Sequence, residues 1–149
     1  MQKVFLSSSE KQTAEIAEKI AKKAKKGDVF ALYGTLGVGK SVFSRAFIKA
    51  LTNAEEVPSP TFTLVQIYDA PNFEIYHFDL YRLKSEEEVF ELGFEEAVYE
   101  GVCLIEWPEK AGHCLPKDIF KVMIKAKEDT REIYVEAFSF EKVKRLEDF

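Results

Sequence analysis

The chain has 149 residues, close to one domain at roughly 150 residues each, and one domain over 1–149 is expected. A hydrophobic share of 46%, with 13 Phe, 6 Tyr and 1 Trp, supplies an aromatic core and excludes a disordered chain. The formal charge of −5, with only Arg45, Arg82, Arg131 and Arg145 as arginines, disfavours a protein that grips nucleic-acid backbone alone, although RNA stays reachable through a partner.

Lys3–Leu6 reads as a short edge strand. Ser7 with Glu10 offers a capping box, and Ile16, Ala17, Ile20, Ala21 and Ala24 recur at helical spacing, so a helix is expected from Ser9 to about Lys25. The lysines at 22, 23, 25 and 26 read as a solvated helix end that complements the dipole. Val29–Tyr33 is an apolar run of the kind buried on both faces. A glycine-rich turn over Gly34–Ser41 follows, then a helix whose inner stripe is Val42, Phe43, Ala46, Phe47, Ala50 and Leu51. Pro58-Ser59-Pro60 breaks the chain. Thr63–Tyr68 and Phe73–Asp79 read as strands around a turn at Asp69–Asn72. Ser85 with Glu88 makes a second capping box, Gly93 closes that helix, and a short helix is expected at Glu95–Tyr99. Val102–Glu106 is a second apolar strand; Phe120–Lys125 and Glu132–Phe138 alternate as an antiparallel pair. The pattern predicts a three-layer α/β domain of the P-loop NTPase kind, with a mixed, mostly parallel central sheet and antiparallel strand pairs.

Cys103 and Cys114 make no disulfide framework, and with His77 and His113 they form no C-x-x-C or H-x-x-H pair of the zinc type. No stretch resembles a signal-peptide core or approaches the ~18 apolar residues of a membrane span. The expectation is a reduced, cytoplasmic protein without a membrane role.

Gly34-Thr35-Leu36-Gly37-Val38-Gly39-Lys40-Ser41 matches G-x-x-x-x-G-K-[ST] at every fixed position, between a buried strand and a helix. Glycines let successive N–H groups turn towards a phosphate, and the helix start adds its positive end. In that reading Leu36, Gly37, Val38, Gly39 and Lys40 cradle phosphates, and the Ser41 hydroxyl binds Mg²⁺. A carboxylate is needed from a neighbouring strand end, and two stand in place: Glu106 after Val-Cys-Leu-Ile, and Asp79 after Tyr-His-Phe. Glu106 is the better metal ligand by strand pattern and Asp79 the better candidate to orient water, with the two roles left open between them. No N-K-x-D stretch is present to read guanine, so ATP is favoured.

Five separated segments, Gly34–Ser41, S-P-T-F-T-L-V from Ser59, Y-H-F-D-L-Y-R-L from Tyr76, Glu91-Leu92-Gly93 and L-I-E-W-P from Leu104, stand together in an order that resembles the bacterial TsaE (YjeE) ATPases. That resemblance implies a role in forming N6-threonylcarbamoyladenosine in tRNA, alongside the proteins TsaD and TsaB, with tRNA touched only indirectly. It also implies Asp79 at the catalytic centre, Thr61 and Thr63 on a loop facing the γ-phosphate, Trp107 beside the nucleotide, and contacts from Thr13 and Arg131. Thr35 stands where the family usually has an acid and Val38 where alanine is common; neither supplies an obligatory contact. The acidic run Glu86–Glu100 reads as a solvated helical face, with a docking surface for a basic partner as its alternative. Arg82 is the nearest candidate for an arginine finger in cis, and slow intrinsic hydrolysis is expected. The rivals are a small-molecule kinase, which four scattered arginines and the lack of a lid insertion disfavour, and a nucleotide-gated scaffold without useful hydrolysis.

Overall fold

The computed structural model describes residues 1–149. Its strands are β1 (Gln2–Ser7), β2 (Val29–Tyr33), β3 (Val65–Asp69), β4 (Glu74–Asp79), β5 (Gly101–Glu106), β6 (Phe120–Lys127) and β7 (Thr130–Glu136). They form one seven-stranded sheet in the order β1-β7-β6-β2-β5-β4-β3. The block β6-β2-β5-β4 is parallel. Antiparallel partners flank it: β3 on β4, β7 on β6, and β1 on β7. The sheet is therefore mixed in equal parts, not mostly parallel. The two tight connections, Ala70–Phe73 and Glu128–Asp129, force their strands to run antiparallel, because a parallel return needs a longer crossover.

The helices are α1 (Glu10–Ala21), α2 (Lys40–Leu51), α3 (Glu87–Glu91), α4 (Phe94–Glu100) and α5 (Phe140–Leu146). Alternation along the central strands divides the core between the two faces of the sheet. Phe30, Leu32, Val102 and Leu104 meet Ile20, Phe43 and Phe47 of α1 and α2, joined by Leu146 and Phe149. Val29, Ala31, Phe78, Cys103 and Ile105 meet Val89, Phe94 and Ala97 of α3 and α4. Three layers result. Phe30 stacks on Phe120 at 5.1 Å and tilts against Phe47 at 5.2 Å, so aromatic pairs join α2 to the sheet centre.

Neither capping box forms as the spacing predicts. Ser7 is used as the last residue of β1, paired with Arg131, and Ser9 caps α1 by accepting from the Gln12 N–H at 3.1 Å. Gln12 reaches back to the Ser8 N–H at 2.7 Å. The helix ends at Ala21, short of Lys25, as the Lys23 and Ala24 N–H groups tighten onto Ile20 and Ala21. At α3 the cap position is Glu86, already helical at φ −61°, ψ −30°, which puts the Ser85 hydroxyl one residue too early. Gly93 adopts φ 75°, ψ 29° between α3 and α4, a left-handed turn that favours glycine. The helix α5 was not anticipated; Ser139 caps it, accepting from the Lys142 N–H at 3.2 Å. Arg145 of α5 forks onto Asp28, just before β2, at 2.8 and 2.6 Å. No helix is long and apolar enough to cross a membrane.

Candidate active site

Helix α2 begins directly beyond the C-terminal end of β2, and the intervening loop is built from backbone shapes open to glycine. Gly34 has φ 147°, and a Cβ there would meet Val38 Cγ1 at 2.7 Å and the Ile124 carbonyl oxygen at 2.8 Å. Gly39, at φ 123°, precedes the helix and offers no side-chain cap. The first helical hydrogen bond runs from the Phe43 N–H to Gly39 O at 3.0 Å, so the N–H groups of Lys40, Ser41 and Val42 come before it without helical acceptors. These donors, with the dipole behind them, make the start of α2 suited to an anion.

Lys40 is buried at 5% exposure. Its Nζ donates to Gly34 O at 2.8 Å and sits 3.5 Å from the centre of the Trp107 ring. Burial pushes its pKa below the ordinary lysine value, and the charges of Glu106, Glu109 and Asp79 partly oppose that shift. Trp107 holds a left-handed conformation, φ 58° and ψ 51°, immediately after β5, and the Tyr81 ring tilts against it at 4.9 Å.

Register brings the acids together. Asp79 pairs with Glu106 across β4 and β5, and Glu106 pairs with Leu32 of β2, so both carboxylates lie at strand ends beside the loop. Period-two alternation places Glu106 with Val102 and Leu104, and Asp79 with Ile75, on the α2 side of the sheet. Asp79 Oδ1 accepts from the Tyr81 N–H at 3.0 Å and Oδ2 accepts from Thr61 Oγ1 at 3.1 Å. Thr61 in turn shares a 2.7 Å hydrogen bond with Ser59. Glu106 Oε2 lies 2.7 Å from His77 Nε2 and accepts from Ser44 Oγ at 3.4 Å.

The loop, the two carboxylates and Thr61 meet at one cleft of about 370 Å³. Leu36, Gly37, Val38, Gly39, Lys40, Ser41, Thr61, Asp79, Glu106, Trp107, Thr13 and Arg131 all border it. Gly34 does not; it serves from behind, through the carbonyl that holds Lys40. Thr13 enters from α1, sharing a 2.7 Å hydrogen bond with Ser7, and Arg131 Nε donates to Val38 O at 3.1 Å, fastening the loop to β7. Thr63 is exposed and accepts from Gln66 instead, and Arg82 lies over the Phe62 ring at 5.0 Å, outside the cleft. Arg131 is therefore the only arginine of the cleft. The Glu86–Glu100 acids are solvated on α3 and α4, except Glu88, which is half-buried. The chain contains no cluster of three His, Cys, Asp or Glu side chains able to hold a metal by themselves, so a cation here would need oxygens from a ligand or water.

Sequence reasoning missed His77 and Ser44, both buried against Glu106. Alternation along β4 carries the signal for His77, which shares the face of Asp79 two residues on. Ser44 stands one helical turn after Ser41, a spacing that carries it along the same side of α2.

A profile of the family described as "Threonylcarbamoyl adenosine biosynthesis protein TsaE" matches residues 7–133. The chain belongs to the TsaE family. A TsaE of Rickettsia typhi, described as a tRNA threonylcarbamoyladenosine biosynthesis protein, is 44% identical over 126 residues, covering 84% of this chain and 88% of that one. The TsaE of Bacillus subtilis with the same description is 40% identical over 124 residues, covering 82% and 77%. The crystal structure of Bacillus subtilis YdiB superposes with a TM-score of 0.81 at 31% identity, covering 99% of this chain and 93% of that one. The TsaE match thus extends from the end of β1 into β7 and takes in every cleft residue named above.

Proposed function

We propose that the protein is a Mg²⁺-dependent, slow ATPase required for forming N6-threonylcarbamoyladenosine in tRNA, and that its nucleotide state controls a complex of TsaD and TsaB. One observation carries the reading: the uncapped start of α2, with Lys40 and Ser41, faces two strand-end carboxylates across a single cleft. The pathway comes from the family and from the printed descriptions of the relatives.

The donor set fits a nucleoside triphosphate with a hard cation. The first-turn N–H groups and Lys40 take the phosphate oxygens, while the Ser41 hydroxyl and Glu106 hold Mg²⁺. When bound, the cation neutralises charge on the terminal phosphates. Asp79, fixed at both oxygens, is the residue best placed to accept a proton from water, and Thr61, tied to it, reads whether a γ-phosphate is present. Thr13 and Arg131 also border the cleft, within reach of a bound nucleotide. With one arginine in the cleft, already fastened to Val38 O, charge for rapid transfer has to come in trans. The same scarcity counts against a kinase that closes an arginine lid over its acceptor. Trp107 borders the cleft beside Lys40, which makes the sole tryptophan a reporter of nucleotide.

The test is ATP turnover by the isolated protein and with TsaD and TsaB, together with nucleotide-dependent co-purification. Slow turnover alone and a changed rate in the complex are expected. Equal, fast rates in both would overturn the switch, and intact tRNA modification by a hydrolysis-dead variant would favour a scaffold.

A further inference from the structure

Glu106 is gripped on one oxygen only. His77 and Ser44 both address Oε2, at 2.7 and 3.4 Å, and neither donor reaches Oε1. Both side chains are buried, Ser44 fully and His77 to 2% exposure. Glu106 itself borders the cleft. The carboxylate is thus turned with Oε2 into the protein and Oε1 left for whatever occupies the cleft.

His77 Nδ1 is buried without any partner. At 2.7 Å a carboxylate oxygen accepts from the imidazole, so Nε2 carries the hydrogen that faces Oε2. His77 is accordingly a fixed donor aimed through Nε2 at one atom, Oε2 of Glu106.

We propose that His77 is a positioning residue: through its Nε2–H it pins Oε2 of Glu106, so that Oε1 alone meets the Mg²⁺ accompanying a bound nucleotide. This rests on the Mg²⁺–nucleotide reading above. His77 touches neither nucleotide nor metal; it removes the freedom of the carboxylate to rotate away or to offer either oxygen. Partners of this kind behind a metal ligand commonly change metal affinity by ~10–100-fold.

Two amide substitutions of nearly equal polarity separate positioning from packing. His77→Gln carries its N–H out to about the reach of Nε2, whereas the shorter His77→Asn places it near Nδ1, away from Oε2. The full-length variants are titrated with ADP by calorimetry in EDTA, then with Mg²⁺ at saturating ADP, and their thermal melts are recorded without ligand. His77→Asn is expected to raise the Mg²⁺ concentration for half-effect ~10-fold or more while leaving ADP affinity in EDTA unchanged, and His77→Gln to restore most of the loss. An unchanged Mg²⁺ requirement in His77→Asn overturns the proposal, as does an equal loss with and without Mg²⁺, which is what mere repacking produces. Should His77→Asn fail to melt cooperatively, His77→Gln decides: a near-native Mg²⁺ requirement supports the proposal, and a rise of ~10-fold refutes it. A wild-type protein that binds ADP with no response to Mg²⁺ would instead bring down the underlying reading, and the role of His77 with it.

Discussion

Asp79→Asn separates the chemical role of the strand-end carboxylate from its structural one. Asp79 is 6% exposed and makes two hydrogen bonds, from the Tyr81 N–H to Oδ1 at 3.0 Å and from Thr61 Oγ1 to Oδ2 at 3.1 Å. Asparagine keeps the first intact, because its carbonyl oxygen replaces Oδ1 in the same Asx turn. At the second position an amide N–H replaces the acceptor, and Thr61 can reverse, accepting from Asn and donating to Ser59 Oγ. The net stability change is then about 1 kcal/mol or less, a melting shift within ~2–4 °C for a chain of this size. Catalysis has no such substitute. Loss of a general base costs ~10²–10⁴ in rate, or about 2.7–5.4 kcal/mol of barrier at 1.36 kcal/mol per tenfold. Removal of a negative charge beside the phosphates should leave ADP affinity equal or tighter. Single-turnover ATP hydrolysis, ADP calorimetry and a thermal melt on Asp79→Asn and Asp79→Ala measure all three. A value of kcat for Asp79→Asn within a few-fold of the wild type would refute the assignment and leave Asp79 as a turn cap. The alanine variant should melt lower by ~1–3 kcal/mol, since it strands the Tyr81 N–H.

Three further outcomes are expected. Lys40→Ala removes the cation of the cradle and its seat on Trp107, so ADP binding should fall beyond detection by calorimetry and the fluorescence of the nucleotide-free protein should change. Asp28→Ala removes the two-pronged partner of Arg145, which keeps only Glu141 at 3.4 Å and the Lys23 carbonyl at 3.1 Å; a loss of ~1.5–3 kcal/mol, or about 3–12 °C in Tm, is expected, with ADP affinity unchanged because the pair lies at the opposite end of β2 from the loop. Burial pushes the Cys103 thiol from its ordinary 9.0 up to about 12, so a thiol reagent at neutral pH should find Cys103 only after denaturation. Since the folded state then keeps a proton that the unfolded state gives up, this group makes stability decline as pH rises from 9.0 towards 12, a slope that Cys103→Ala should flatten in a pH series of melts.

What could be read from the chain beforehand depended on how local the cause was. Val29–Tyr33 and Val102–Glu106 announce buried parallel strands because both faces are apolar, and they do pair as neighbours. Gly34–Ser41 is legible because each fixed residue meets a separate local demand of backbone or chemistry. The strand ends at Asp79 and Glu106 followed from where the apolar runs stop. Their juxtaposition did not, since it is set by register between β4 and β5. The pairing of β1 with β7 joins the first and last strands of the sheet, and no local pattern encodes it. It is also what displaced the first cap, by drawing Ser7 into the ladder. Thr61 and Thr63 look equivalent in S-P-T-F-T, yet only Thr61 reaches Asp79, because the turn over Pro60–Leu64 sends Thr63 outward. Of the two arginines, Arg131 borders the cleft and Arg82, the candidate finger, does not, for a similar reason. Arg82 is spent on Phe62, whereas β7 carries Arg131 back to the loop.

Charge sharpens the distinction between handling ATP and handling RNA. The cleft is itself acidic: Glu10, Asp79, Glu106 and Asp129 border it against Lys40 and Arg131 alone. A long-range positive field therefore cannot be what draws a polyphosphate in, on a chain whose total is −5. On the proposed reading the attraction is short-ranged and directional, from N–H groups at the start of α2, from Lys40 at contact, and from a divalent cation that would offset the two strand-end acids. Such an arrangement can close around the compact phosphates of one nucleotide. It offers nothing comparable to an extended nucleic-acid backbone, whose binding grows with the number of phosphates neutralised along its length. On the proposed reading, the same acids that call for Mg²⁺ disfavour direct RNA binding at this face, and the influence on tRNA chemistry would pass through a protein partner that reads the state of the cleft.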